Sequence, residues 1–201
     1  MRSSRAKAPR ARSSATTRQA LLAAAHSRFL KESYDNVGLR DIAGDAGVDV
    51  ALVNRYFGSK EDLFREVLGT GERGEILPPG LSNSEIASLM ARMFVEEGGS
   101  EGNAHVERLL IVLRSASSVA ASRVVRETLR EDILAPLAER LGGTRPELRA
   151  STSMAVWMGM SIMRTIMTIE PLCEPPVELE ARLRQLFEAA LAENGAADSE
   201  P

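Results

Sequence analysis

Residues 39–63 read LRDIAGDAGVDVALVNRYFGSKEDL, and the spacing inside this run decides the fold. Leu39, Ile42, Ala43 and Ala46 recur at i, i+3, i+4 and i+7, one apolar face of a two-turn helix. Gly47 supplies the left-handed residue that ends such a helix. Asp49 can cap a second short helix, whose inward face is Leu52, Val53, Tyr56 and Phe57. Gly58 closes it. Ser59 and Asp62 then form a capping box, and Leu63, Phe64, Val67 and Leu68 continue a further helix. Two short helices joined by a tight glycine turn make a helix-turn-helix, in which the first helix braces the second against the DNA major groove. The outward residues of the second are Val50, Ala51, Asn54 and Arg55. An arginine can grip guanine bidentately, an asparagine adenine, and small apolar groups can meet a thymine methyl.

Upstream, Leu21, Leu22, Ala25 and Phe29 return at helical spacing from Thr16 to Lys31, with Thr16 or Thr17 as the cap. Residues 1–14 have no periodicity and read as a flexible basic arm. Downstream, Gly69–Asn83 carries Pro78-Pro79-Gly80 and reads as a boundary. Five more helices follow, over Ser84–Glu97, Ala104–Ser117, Ala120–Leu141, Pro146–Ile169 and Pro176–Glu193. Ser118 or Ser122 can cap the third of these, and Thr144 the fourth, with Pro146 in its first turn. Pro136 should kink the third, because its ring removes a backbone donor. The expectation is an all-α chain of about nine helices, with no strand pattern and no repeat. Its parts are the arm at 1–14, a helix-turn-helix domain with a linking helix at 15–70, a helical domain at 80–193 and a disordered tail at 194–201.

Composition fits this. Of 201 residues 44% are hydrophobic and 4% aromatic, which favours helix over sheet. The net charge of −3 hides an asymmetry: residues 1–65 hold 12 basic and 7 acidic side chains, and the rest 13 and 21. A basic amino-terminal third on an acidic body points to nucleic acid at one end only. A single cysteine, Cys173, excludes an internal disulfide, and His26 and His105 lie too far apart to suggest a metal centre. No nucleophile–base pairing or phosphate loop suggests an enzyme, and no cofactor is expected. Nothing reads as a secretory signal, and the stretch Thr152–Ile169 is too short and too polar for a membrane span, so a cytoplasmic protein is expected.

Leu39-Arg40-Asp41-Ile42-Ala43, Ala46-Gly47-Val48 and Tyr56-Phe57-Gly58-Ser59-Lys60-Glu61-Asp62-Leu63 resemble the TetR family of bacterial transcription regulators, over about Thr17–Leu68. The resemblance implies a three-helix DNA-binding domain, a fourth linking helix, and an all-helical domain for ligand binding and dimerisation. The chain departs from the family at Ser33, at Val37-Gly38 before the second helix, at Asn54 where Tyr is frequent and at Asp49 where Ser is frequent.

Several residues allow two roles. Lys60 in the first turn of a helix is either a DNA phosphate contact, which the resemblance favours, or a solvated lysine. Tyr56 can donate its hydroxyl to a phosphate or pack in the core. Thr17 can bind phosphate or cap its helix. Arg40 faces outward as a backbone contact. In the carboxyl-terminal half, Met90, Met93, Phe94, Leu113, Trp157, Met160 and Arg164 are candidate walls of a pocket for an apolar or aromatic effector, with Arg164 as an anchor for an acid group. Ordinary core or interface is the alternative for each methionine, and an ion pair for Arg114 and Arg164. Ser151, Ala155 and Gly159 form a small-residue stripe. With Ile162, Ile166 and the apolar face of the last helix (Leu179, Leu183, Leu186, Phe187, Ala190 and Leu191) it suggests a two-fold homodimer on a near-palindromic operator. The function expected is a dimeric DNA-binding regulator, a repressor released by a small molecule. An activator or an effector-independent architectural protein is the alternative.

Overall fold

The computed structural model describes residues 14–69, 78, 80–97, 104–173 and 176–193; among them every regular element is helical. In chain order they are α1 (Ser14–Lys31), a 3-10 turn (Tyr34–Asn36), α2 (Leu39–Ala46), α3 (Ala51–Phe57), α4 (Lys60–Leu68), α5 (Asn83–Glu97), α6 (Ala104–Ser115), α7 (Val119–Leu129), α8 (Ala135–Leu141), α9 (Pro146–Ser161), α10 (Glu170–Cys173) and α11 (Pro176–Leu191). Two π-helical turns, Arg130–Leu134 and Ile162–Ile166, lie directly after α7 and α9.

The expected stripe of α1 is buried at Leu21, Ala25 and Phe29. The helix already includes Ser14, so Thr17 is a buried member of its first turn rather than its cap. The remainder of the expected arm, and the tail at 194–201, lie outside the described residues. Arg28, in the last turn of α1, donates to both carboxylate oxygens of Asp45 on α2 and holds that carboxyl below the usual range. Ser118 caps α7, accepting the Ala121 N–H at 3.3 Å. Thr144 does not cap α9: the residue ahead of Pro146 is Arg145, which makes no side-chain cap bond.

Ahead of Pro136, where a kink is expected, the helix is interrupted by a π turn. The turn absorbs the conflict: Ala135 N–H reaches back to the Arg130 carbonyl, one residue further than an α-helix allows. The wider turn makes room for the proline ring, which would otherwise press on the carbonyl four residues back. The next long helix ends earlier than Ile169. Its π turn closes at Ile166, Thr168 takes a positive φ of 52°, and Glu170-Pro171 opens the short α10.

The buried side chains form two cores. The first joins α1–α4 to α6 and α7, through Leu21, Phe29, Ile42, Val53, Leu63, Phe64, Ile111 and Val124. At its centre Phe29 stacks on Tyr34 with centroids 5.9 Å apart, and the Phe64 ring meets both edge-on at 4.8 and 4.9 Å. The second joins α5, α8, α9 and α11. Leu179, Leu183, Phe187 and Leu191 of α11 are spent there, packed inside the subunit, which corrects their expected place at a dimer contact. Only Leu186 of that set is exposed. The long helix Val119–Leu141 serves both cores: Ala121 and Val124 of α7 belong to the first, and Leu137, Ala138 and Leu141 of α8 to the second. The π turn between them buries no residue.

Candidate nucleic-acid interface

The turn between α2 and α3 is built as its sequence dictates. Gly47 sits at φ 66°, ψ 40° and its N–H reaches back to the Ala43 and Gly44 carbonyls. Asp49 Oδ1 accepts the Ala51 N–H at 2.7 Å and so caps the second helix. Gly38, not a serine or threonine, precedes α2 and makes no side-chain cap. A Cβ there would lie 2.6 Å from the Asp41 carboxylate, the far end of an exposed side chain that would turn aside. Gly58 ends α3 at φ 84°, and Ser59 opens α4 by accepting the Asp62 N–H at 3.0 Å while donating to the Asp62 carboxylate at 2.5 Å.

Val53 and Phe57 hold α3 in the core from below. Ala51, Asn54 and Arg55, at i, i+3 and i+4, are all exposed on the opposite side. Arg40 is exposed at the start of α2. Neither Arg40 nor Arg55 is ion-paired among the described residues. Val50 is half-buried and leans on the first core, so only part of it is available. The Tyr56 ring is half-buried against the same core, which favours its packing role. Thr17 is buried, with 6% of its surface exposed.

Lys60 is half-buried, and its ammonium stands 4.3 Å from the centre of the Tyr34 ring, over its negative face. Burial lowers the lysine's affinity for its proton, against the carboxylates of Asp35 and Glu61. Burial, with the same two carboxylates, pushes the Tyr34 hydroxyl up to about 12. Sequence reasoning passed over two residues here. Tyr34 seats Lys60 from 26 positions away, which no local spacing signals. Arg18 lays its guanidinium 5.0 Å from the Phe57 ring centre and pairs with Glu66, tying α1 to the end of α3 and to α4.

Of the seven residues proposed for an effector pocket, six lie on α5, α9 and the turn after α9. Met90 and Phe94 are buried in the second core, with Trp157 and Met160 packed against it. Phe94 meets Trp157 edge-on at 5.5 Å, and Trp157 lies 6.0 Å from Phe187. Met93 is half-buried on the same helix as Phe94. Leu113 does not join them: it is on α6 and 41% exposed. Arg164 forms no ion pair among the described residues. It donates to the Phe94 carbonyl at 3.2 Å and its guanidinium lies 5.5 Å from that ring's centre. Arg114 likewise donates to a carbonyl, that of Lys31 at the end of α1. Clefts of about 350 and 320 Å³ open elsewhere, and none of the seven residues lines either of them.

Among the described residues no group of three or more His, Cys, Asp or Glu is placed to hold a metal ion, and no helix is long and apolar enough to cross a membrane. Residues 21–67 match the family model described as bacterial regulatory proteins, tetR family, and residues 84–197 match the tetracyclin repressor-like C-terminal domain. A TetR-family regulator from Streptomyces coelicolor A3 is 28% identical at a TM-score of 0.54, covering 91% of this chain and 98% of its own. NalD of Pseudomonas aeruginosa, the secondary repressor of the MexAB-OprM multidrug efflux pump, is 20% identical at 0.62, covering 91% and 100%. A SmeT–triclosan complex is 19% identical at 0.62, covering 92% and 98%. No curated protein sequence matches the chain.

Proposed function

The chain belongs to the TetR family of bacterial DNA-binding regulators, and on that premise we propose that it is a homodimeric repressor that leaves a near-palindromic operator when a small apolar or aromatic molecule binds. The observation that carries the DNA half is the free face of α3. Ala51, Asn54 and Arg55 are exposed together on a short helix whose other side is locked in the core. In this reading Arg55 and Asn54 read base edges, Ala51 and the free part of Val50 meet a methyl group, and Arg40 and Lys60 hold the backbone. Replacing Arg55 with alanine is expected to relax preference at one base pair and to lose about 1–3 kcal/mol there. A titration series over single-base operator variants measures it; an unchanged preference removes Arg55 from the readout.

The dimer reading rests on α9. Leu148, Thr152, Ala155 and Gly159 are exposed along one side of it, and Met163 and Ile166 extend the strip into the π turn. No Cβ at Gly159 would meet anything within 4 Å in the subunit. Such a strip allows close approach of a second copy about a two-fold axis. Leu186 of α11 adds an exposed apolar group.

The effector reading rests on Trp157 between Phe94 and Phe187, with methionines beside them and the Arg164 guanidinium on Phe94. These groups are packed together, so a ligand must part them. It acts as an inducer only through tighter binding to the form that does not fit the operator. A repressor among the structural neighbours supports the repressor reading, and a triclosan complex supports an apolar effector. Trp157 is the single tryptophan, so its fluorescence reports the site. Quenching by triclosan or another apolar aromatic, with parallel loss of operator affinity, is expected. Quenching that leaves operator affinity untouched would favour a regulator without an effector switch.

A further inference from the structure

The first core carries a polar contact that joins the DNA-facing lysine to the start of α7. Asp35 lies in the 3-10 turn, next to Tyr34, whose ring seats the Lys60 ammonium. Asp35 Oδ1 accepts the Ser118 hydroxyl at 2.8 Å. Ser118 is only 3% exposed, and its oxygen also accepts the Ala121 N–H. Its one proton is therefore committed to Asp35 while its lone pair serves the helix cap. Asp35 directly follows the tyrosine on which the ammonium rests, and its charge favours the lysine's protonated form, yet the two form no ion pair among the described residues.

We propose that Ser118 is a positioning residue for DNA binding: its hydroxyl holds the Asp35 carboxylate back from Lys60, so that the ammonium on Tyr34 stays free for a DNA phosphate. This rests on the reading of Lys60 as a backbone contact. A carboxylate and a phosphate compete for the same ammonium. Without the Ser118 proton, Asp35 has lost its donor, and the cation it already acts on is Lys60. The resulting pair is half-exposed, so its strength is that of a surface ion pair, and it should weaken DNA binding about two- to fivefold. Ser118 heads the helix that continues through the π turn into the second core. Displacement of α7 would therefore release Asp35 onto Lys60 and reduce the positive charge offered to the backbone.

The test is fluorescence anisotropy of full-length protein on labelled mixed-sequence duplex DNA, over a range of salt, because backbone contacts do not depend on sequence. Lys60→Ala should weaken binding and flatten the log–log salt slope by about 0.9. Ser118→Gly removes the hydroxyl, and glycine serves nearly as well as a cap, with a loss of only a few tenths of a kcal/mol. It should weaken binding about two- to fivefold and flatten the slope in part. Ser118→Thr keeps the hydroxyl and should bind as the parent does. Asp35→Asn should restore parental affinity to the Ser118→Gly protein, because an amide does not neutralise the ammonium. Glu61, the other carboxylate acting on Lys60, is present in every variant. Ser118→Gly should also change nothing further in the Lys60→Ala background. A defect that persists after Asp35→Asn or Lys60→Ala, with melting temperature unchanged, overturns the proposal and leaves Ser118 a cap alone. Parental affinity and slope in Lys60→Ala itself would instead overturn the backbone reading of that lysine.

Discussion

Replacing Arg149 with methionine is expected to lower the unfolding free energy by about 1.5–3 kcal/mol. Arg149 is 5% exposed on the first turns of α9. It donates to the Leu191 carbonyl at 3.0 Å and to the Gly142 carbonyl. Those carbonyls end α11 and follow α8, so one guanidinium closes two helix C-termini and ties three helices of the second core together. A cation is favoured at both ends by the helix dipoles. Glu193, half-exposed at 3.8 Å, partners the charge, while Nε makes no hydrogen bond. Methionine matches the stem but cannot donate, and it leaves the Gly142 carbonyl without its guanidinium. Urea denaturation should give a lower midpoint at an unchanged slope. A loss below about 1 kcal/mol would mean that water replaces the guanidinium, as at an exposed helix end.

If the proposed two-fold contact lies on α9, Gly159→Arg is expected to leave each subunit folded and to abolish that dimer. In one subunit the change is harmless: the position is exposed, a Cβ has open space, and removing a mid-helix glycine gains roughly 0.5–1 kcal/mol. At a two-fold contact the same residue meets its own neighbourhood in the other copy. Two arginines would then be desolvated with no counter-charge, at a cost of several kcal/mol. Ultracentrifugation at micromolar protein should give a monomer with unchanged helical content. Operator affinity should fall about 10³-fold or more, towards the non-specific level. A dimer mass for Gly159→Arg would move the two-fold contact away from α9.

What could be read from the sequence was whatever is decided within one or two turns of chain. Gly47, Gly58, Asp49 and the Ser59–Asp62 box place the helix-turn-helix because each acts on its immediate neighbours. The buried stripe of α1 follows from spacing alone. The features missed depend on what lies across the fold. Apolar residues recur on both sides of Pro136, and nothing local says that the two halves face different cores, which is where the π turn falls. The apolar face of α11 was legible, but its partner was not: α5 takes it, leaving Leu186 outside. Arg114 and Arg164 in apolar stretches suggested carboxylates, whereas both found carbonyls on other helices. Lys60 was legible as a candidate phosphate contact, while its seat on Tyr34 and the Asp35–Ser118 link bridge long gaps in sequence.

The two cores do not follow the order of the chain. α5 belongs to the second, yet it lies in sequence between α4 and α6, which both belong to the first. A chimera that grafts this reading head onto a relative by joining the chains at Pro78 would leave Ile111, Ala121 and Val124 behind. The transplanted head would then rest on foreign α6 and α7 surfaces, with Glu127 no longer opposite Arg65 and Ser118 no longer opposite Asp35. The unit that shares one core is α1–α4 together with α6 and α7, so its exchange requires a join on each side of α5 as well as one after α7. The join after α7 falls in the π turn at Arg130–Leu134, where no side chain is fully buried and Leu134 alone packs on the second core.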